Sequence, residues 1–359
     1  MRDCQRGGRR GASSITSTNS MRAIVVGAGL GLAAVLRGAE AANPKMLNPS
    51  FVFDSYNIPA TGTRRMETRF SPCSDHTFVI DKSGNFIAFS DVADEKTFEF
   101  SIEKAVYELA DHGPTGMLVH PDFPKTPSIF VFYTADPTDK WDDKCPLKPD
   151  ADGFSYCDSK QRLERFDLKV TMTGTRCTNF ALVDSQVLIE DWCSTSSSHG
   201  NGNIEWWNGA NMILTSGDGG MPSTSDYGQK QGDVCFNAAK KLPQGRWRSL
   251  RMDGFLQGKL LLIKAASLLK NSGLTLNNDY NIVASGLRQP YVNTVNPWTG
   301  DVLIGDVGSK IWEEVNVITN KEMSTPSLWP LNFGWPCLEG SSDFANPTDD
   351  DFKWLKNTC

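Results

Sequence analysis

The residue best suited to moving a proton is His199, set in a Ser/Gly/Asn loop between Ser198 and Gly200-Asn201-Gly202 rather than on an apolar face. An imidazole titrates near working pH, so a histidine in such a loop suits general acid–base work. Arg288, two residues before Pro290, is a fixed cation that either stabilises developing charge or pairs with an acid; both readings stay open. His120 precedes Pro121 and reads as a turn-ordering residue. No Ser/His/Asp set stands out, which gives a hydrolytic reading no support. The acidic stretch Asp139–Asp158 lacks the regular oxygen spacing of an EF-hand and reads as a solvated insertion. Gly27-Ala28-Gly29-Leu30-Gly31 follows three apolar residues but has no βα continuation, which sets aside dinucleotide binding.

The elements that must position these groups are short strands. Gly and Pro together number 50 among 359 residues, with ten Trp, a composition of turns and half-buried strands. Phe78–Ile80, Lys82–Asn85 and Phe86–Phe89 read as a hairpin. Ile204–Trp207, Asn208-Gly209 and Ala210–Thr215 read as another, closed by a type I′ turn. Ser128–Thr134 (SIFVFYT) is an aromatic, β-branched strand, and Pro297–Gly300 turns into Asp301–Ile304. Helical spacing at Ile102–Leu109 and Leu260–Leu269 predicts at most short helices or strand-edge inserts. Three hairpins end alike, at Ser90-Asp91-Val92-Ala93, Gly217-Asp218-Gly219-Gly220 and Gly305-Asp306-Val307-Gly308, each carboxylate being available to backbone N–H groups. A recurring hairpin of this kind suits an all-β propeller of four-stranded antiparallel blades, with a β-sandwich as the alternative. Trp206, Trp207, Trp312 and Trp335 read as blade-packing aromatics.

Four stretches resemble the glucose/sorbosone dehydrogenase family, the quinoprotein sugar dehydrogenases and their hedgehog-interacting-protein-like relatives. They are Gly113–Phe123, His199–Trp206 running on to Gly217–Met221, Gly286–Tyr291, and Gly305–Gly308 with Glu313–Asn316 and Asn332–Pro336…Glu339-Gly340. The Gly-Asp-Gly-Gly-Met form is closer to the hedgehog-interacting-protein-like branch. The resemblance implies a six-bladed propeller over residues 66–340, with pyrroloquinoline quinone held through calcium. It makes His199 the base that takes a sugar hydroxyl proton, and puts Arg288 and Gln289 at the quinone. Backbone carbonyls near Gly308 and Ser309 would contact calcium. The sequence departs from the family at Ser198, where the enzymes commonly carry Asp, and at Gln289, where they carry Asn. The family also continues beyond the position of Cys359, which implies fewer than six complete blades here, residues 341–359 forming an acidic tail or part of a blade. The activity so implied is oxidation of an aldose hydroxyl on a sugar or polysaccharide. A non-catalytic extracellular binding propeller with a protein partner is the alternative.

Residues 1–42 form a basic leader and signal peptide: Arg-rich up to Arg22, apolar over Ala23–Leu36, with a small-x-small cleavage site at Ala39-Glu40-Ala41. A linker, 43–65, follows. Secretion is therefore expected. Beyond residue 42 the chain holds 30 basic and 40 acidic residues with no basic patch, which speaks against a nucleic-acid partner. No apolar run is long enough for a membrane-spanning helix. Eight of the nine cysteines lie beyond the leader, none in a CxxC pair, and an even count in an exported chain implies disulfides. Cys145 with Cys157, and Cys337 with Cys359, are the pairs expected from their short polar loops.

Overall fold

The computed structural model describes residues 22–24, 52–54, 65–71, 76–90, 95–108, 111–135, 159–194, 198–220, 245–309 and 311–343. The chain divides into two compact units, Met1–Asn57 and Ile58–Cys359. In the first, β1 (Arg22–Ile24) pairs in parallel with β2 (Val52–Asp54); the rest of the expected leader, the acidic loop Asp139–Asp158 and Cys145, Cys157 and Cys359 lie outside the described residues. Cys177 and Cys337 are each disulfide-bonded, with partners outside the described side chains.

The second unit is an all-β propeller of four blades among the described residues. Blade one comprises β3 (Arg65–Phe70), β4 (His76–Asp81), β5 (Asn85–Ser90) and β6 (Glu95–Ser101). Blade two comprises β7 (Pro114–Val119), β8 (Ser128–Ala135), β9 (Ser159–Thr173) and β10 (Arg176–Ser194). Blade three comprises β11 (Asn201–Trp207), β12 (Asn211–Ser216), β13 (Lys259–Ile263) and β14 (Tyr280–Ser285). The fourth holds β15 (Pro290–Val295), β16 (Val302–Asp306) and β17 (Glu314–Ile318). A short β18 (Leu331–Asn332) adds in parallel to the outer edge of blade three. The first strand of each blade packs on the first strand of the next, in the order β3, β7, β11, β15, so these four line the axis.

Local sequence explains the hairpins. Asn208 and Gly209 both have positive φ, 49° and 84°, as a type I′ turn demands. Asp81 closes the first hairpin by accepting from the amides of Ser83 (3.0 Å) and Asn85 (2.8 Å). The helical spacing at Leu260–Leu269 resolves differently. Leu260–Ile263 belongs to β13, fully buried between β12 and β14, and only Ala265–Leu268 winds into one helical turn, α1. A strand covered on both faces shows no alternation, so its apolar run imitates a helix face. Ile102–Leu109 supplies a single 3-10 turn, Glu103–Ala105.

Strand alternation then builds the core between blades. Ile129 and Val131 of β8 face Phe78, Ile80 and Phe86 of blade one. Their neighbours Phe130 and Phe132 face Ile204, Met212 and Leu214 of blade three. Val302, Ile304 and Ile318 of blade four meet Ile213, Leu260 and Val283 in the same way. Each such side chain contributes about 1.5–3 kcal/mol on burial. Nearer the axis the contacts become polar. Asn201 donates to Gly113 O (2.6 Å), Gln289 to Asn201 O (2.9 Å), Asn293 to Asn203 O (2.9 Å) and Thr215 to Pro290 O (2.9 Å). These buried bonds stitch blades two, three and four together at their inner strands.

Close approach at the axis requires Gly202, in the bulge that interrupts pairing between Asn201 and Ile204. A Cβ there would collide with the Thr215 carbonyl and lie 2.6 Å from Pro290 O. Both are backbone atoms and cannot swing away. Gly202→Ala is therefore expected to cost roughly 1–3 kcal/mol of stability, read as a lowered urea midpoint. Gly273→Ala, whose Cβ would meet nothing closer than 3.8 Å, is the control, and equal midpoints for the two variants would contradict the packing described.

Candidate active site

Three chain segments lie side by side at one end of the inner strands, joined through their main chains. Gly217 N bonds Gly200 O (3.1 Å), Gly219 N bonds His199 O (2.9 Å), and Asp218 N bonds Arg288 O (2.7 Å). A fourth segment joins where Trp335 N donates to Gly286 O (3.0 Å). His199 is held in the left-handed region, φ 56°, a conformation uncommon for a residue with a Cβ and concentrated at functional sites.

Asp218 is the hub. Its carboxylate receives Gly220 N (2.8 Å) and faces His199 Nδ1 (3.0 Å) through Oδ1, and receives the Trp335 indole N–H (2.7 Å) through Oδ2. Burial raises its pKa, but His199, Arg288 and Arg246 together outweigh that and hold the carboxyl below its ordinary value. Asp218 is thus an anion at neutral pH and can only accept. His199 must then carry its proton on Nδ1, leaving the Nε2 lone pair outward; among the described residues Nε2 has no hydrogen-bond partner. Burial, then the Arg288 cation, push the His199 pKa below 6.5 against the opposing pull of Asp218. The ring is 4% exposed and neutral at pH 7. A neutral, oriented imidazole with one free lone pair is a general base.

Arg288 lies beside this pair. Its guanidinium donates to Val307 O (2.7 Å) through Nη1 and lies 5.4 Å from the Trp335 ring centre, with Arg246 5.7 Å from the same ring. Its buried Nε has no hydrogen-bond partner among the described residues. The backbone amides of Arg288 (3.0 Å) and Gln289 (2.6 Å) both donate to Asp306. Burial dominates there all the same, and the Asp306 pKa is pushed up to about 7.

The residues expected at the site, His199, Arg288 and Gln289, are brought together. Gln289 joins through its backbone N–H to Asp306 and its side-chain N–H to Asn201 O, while its side-chain Oε1 is buried with no hydrogen-bond partner among the described residues. Gly308 and Ser309 follow directly on Val307. Their amides donate to carboxylates, Gly308 to Glu313 (3.1 Å) and Ser309 to Glu339. These bonds use the amides and not the carbonyls expected to contact calcium, and no group of three His, Cys, Asp or Glu among the described residues is disposed to hold a metal. A quinone carrying carboxylates fits the cationic residues present. A guanidinium N–H with no partner among the described residues, a second arginine and a neutral base converge here around the ionised Asp218.

Sequence reasoning missed Asp218, Trp335 and Arg246 as site residues. Asp218 and Asp306 share the Gly-Asp-x-Gly ending, a signal that was visible. Trp335, expected among the blade-packing aromatics, packs against Trp247 and also donates to Asp218 from its buried position. Trp206 and Trp207 behave as expected, packing and donating to Val119 O (3.1 Å) and Gly300 O (3.0 Å). His120 orders its turn by accepting from Asp122 N (3.1 Å). Ser198 donates to Asp111 (2.7 Å).

No family model matches the sequence, and no curated protein matches it. Among solved structures the chain is similar to the soluble aldose sugar dehydrogenase of Escherichia coli, with 16% identity over 78% of this chain and 64% of that one, TM-score 0.46. A glucose dehydrogenase gives 15% identity, 77% and 64% coverage and a TM-score of 0.45. The pyranose dehydrogenase PQQ domain of Coprinopsis cinerea gives 10%, 76%, 54% and 0.37. The chain spans less than two thirds of the length of each.

Asp306 gives this site a pH signature. Its carboxyl ionises near pH 4 when unfolded and near 7 when folded. The folded chain therefore holds a proton that the unfolded chain lacks between these values, and stability falls as pH rises through that window. Asp306→Asn removes the titration. Wild type is expected to lose stability relative to the variant from pH 4 to 7 in urea unfolding; parallel curves would contradict the raised pKa.

Proposed function

We propose that this chain is a sugar dehydrogenase-like propeller that oxidises an aldose hydroxyl with pyrroloquinoline quinone as electron acceptor. The observation that carries the reading is the His199–Asp218–Trp335 chain, which fixes a neutral imidazole with its Nε2 lone pair outward. His199 takes the proton from the substrate hydroxyl at Nε2. Asp218, already anionic, stabilises the imidazolium that results, as a buried carboxylate does for a histidine base. Arg288 and Gln289 would hold the quinone, the cation lying where negative charge accumulates. When bound, the quinone supplies the two-electron acceptor that no side chain here provides.

The four motifs that resemble the glucose/sorbosone dehydrogenases support the same reading, since His199, Arg288 and Trp335 all fall within them. A secreted, disulfide-bonded protein follows from the leader and cysteine pattern, and calcium stays part of the proposal through the resemblance alone. One observation favours the alternative, a non-catalytic extracellular binding propeller. Ser198 stands where the enzymes commonly carry Asp, and its hydroxyl is engaged with Asp111.

Reconstitution with quinone and calcium, followed by dye reduction on a panel of aldoses, separates the two. Activity is expected, and His199→Ala is expected to lower it about 10²–10⁴-fold with unchanged circular dichroism. An inert reconstituted protein, or a His199→Ala variant of undiminished rate, would overturn the oxidoreductase reading.

A further inference from the structure

A cavity of about 330 Å³ opens at the outer edge of blade three, lined by Asn281 and Ile282 of β14 and by Asn277, Met252, Trp329 and Pro330. Its place follows from strand pairing. At one end Tyr280 bridges in parallel to Leu276, and at the other Ala284 and Ser285 pair in parallel with β18. Between these two short partners, Asn281–Val283 have no partner on the outer side among the described residues. The cavity occupies that gap.

Its chemistry is selective. None of the lining residues is charged, and the adjacent Lys264 ammonium is engaged with the carbonyls of Asn277 (3.5 Å) and Asn278 (2.6 Å). Trp329 is half-buried against the core of blades three and four, and its indole N–H is spent on Glu322 O (2.9 Å). The ring is therefore oriented, and its role toward a ligand is apolar contact. Asn277 and Asn281 carry side-chain amides with no hydrogen-bond partner among the described residues. Each offers two donors and an acceptor. Apolar ring surface beside paired amides, without charge, matches a ligand with C–H faces and hydroxyl edges. The volume is at the lower end of the ~300–1,000 Å³ of ordinary ligand pockets.

We propose that this cavity is a binding site for a neutral carbohydrate unit, separate from the His199 cluster. Trp329 stacks on the sugar face, and Asn277 and Asn281 bond its hydroxyls. Two adjacent segments lead from it to the candidate active site. β14 runs from Asn281 to Ser285, the chain continues through Gly286 to Arg288, and the chain from Trp329 reaches Trp335 six residues later. At ~3.3 Å per extended residue these segments span at most about 20 Å, and the cavity binds its sugar independently of the His199 cluster.

The test is NMR titration of the whole protein with neutral hexasaccharides of the cello-, malto-, xylo- and manno- series. At least one is expected to shift the Trp329 indole signal and the Asn277 and Asn281 amides. Asn281→Ala is expected to weaken binding about tenfold through loss of a buried hydrogen bond, and Trp329→Phe to weaken it less while keeping the fold. His199→Ala is expected to leave binding unchanged, so failure of the oxidoreductase reading would not mimic failure here. No shift with any oligosaccharide overturns the proposal, as does binding abolished by His199→Ala. Shifts confined to the Asn281–Val283 backbone that survive Asn281→Ala also overturn it, because they would mark a strand-pairing peptide site.

Discussion

Everything at the candidate site depends on a buried anion, Asp218. A carboxylate with no exposure carries a desolvation penalty of several kcal/mol, and it stays ionised only because donors and cations surround it. The amide of Gly220, the indole of Trp335 and the ring of His199 are fixed by that requirement. Removing any one would leave part of a buried charge unpaired, which is more costly than the bond itself. Asp218 is thus at once a structural tie and the element that gives His199 its tautomer. Because its backbone N–H is bonded to Arg288 O, the cation beside the base is positioned by the same residue.

The propeller supplies the precision such a cluster needs. Its inner strands are cross-tied by amide side chains and the Thr215 hydroxyl as well as by apolar contact farther out, so their spacing is set by hydrogen bonds of 2.6–2.9 Å. Glycine at 202 lets the strands close to that distance. Farther out, alternating side chains of β8 and its counterparts fill the space between blades. The hydrophobic layers hold the blades, while the polar axis sets where His199 and Arg288 come to rest. Asp306, pulled between burial and two amide donors, shows how tightly this axis is packed.

Much of this was legible beforehand. Asn208-Gly209 announced its hairpin because a type I′ turn has few other solutions, and SIFVFYT could only be a strand. His199 announced itself by its loop composition. Blade three was harder to read at Leu260–Ile263, where burial on both faces removes the alternation that distinguishes strand from helix. Trp335 packs as expected, but its bond to Asp218 was hidden for a different reason. An indole that packs and an indole that donates to a distant aspartate look identical in sequence, since Asp218 lies 117 residues away. Arg246 likewise belongs to the site only through tertiary proximity.

The central claim is that Asp218 fixes His199 as a neutral imidazole protonated on Nδ1. Nitrogen-15 NMR of the histidine side chains reads this directly, with His199→Ala identifying the signal. The account predicts Nδ1–H with unprotonated Nε2 at pH 7, a titration midpoint below 6.5, and loss of the tautomer preference in Asp218→Asn. A His199 protonated on Nε2, or one titrating above 6.5, would contradict it.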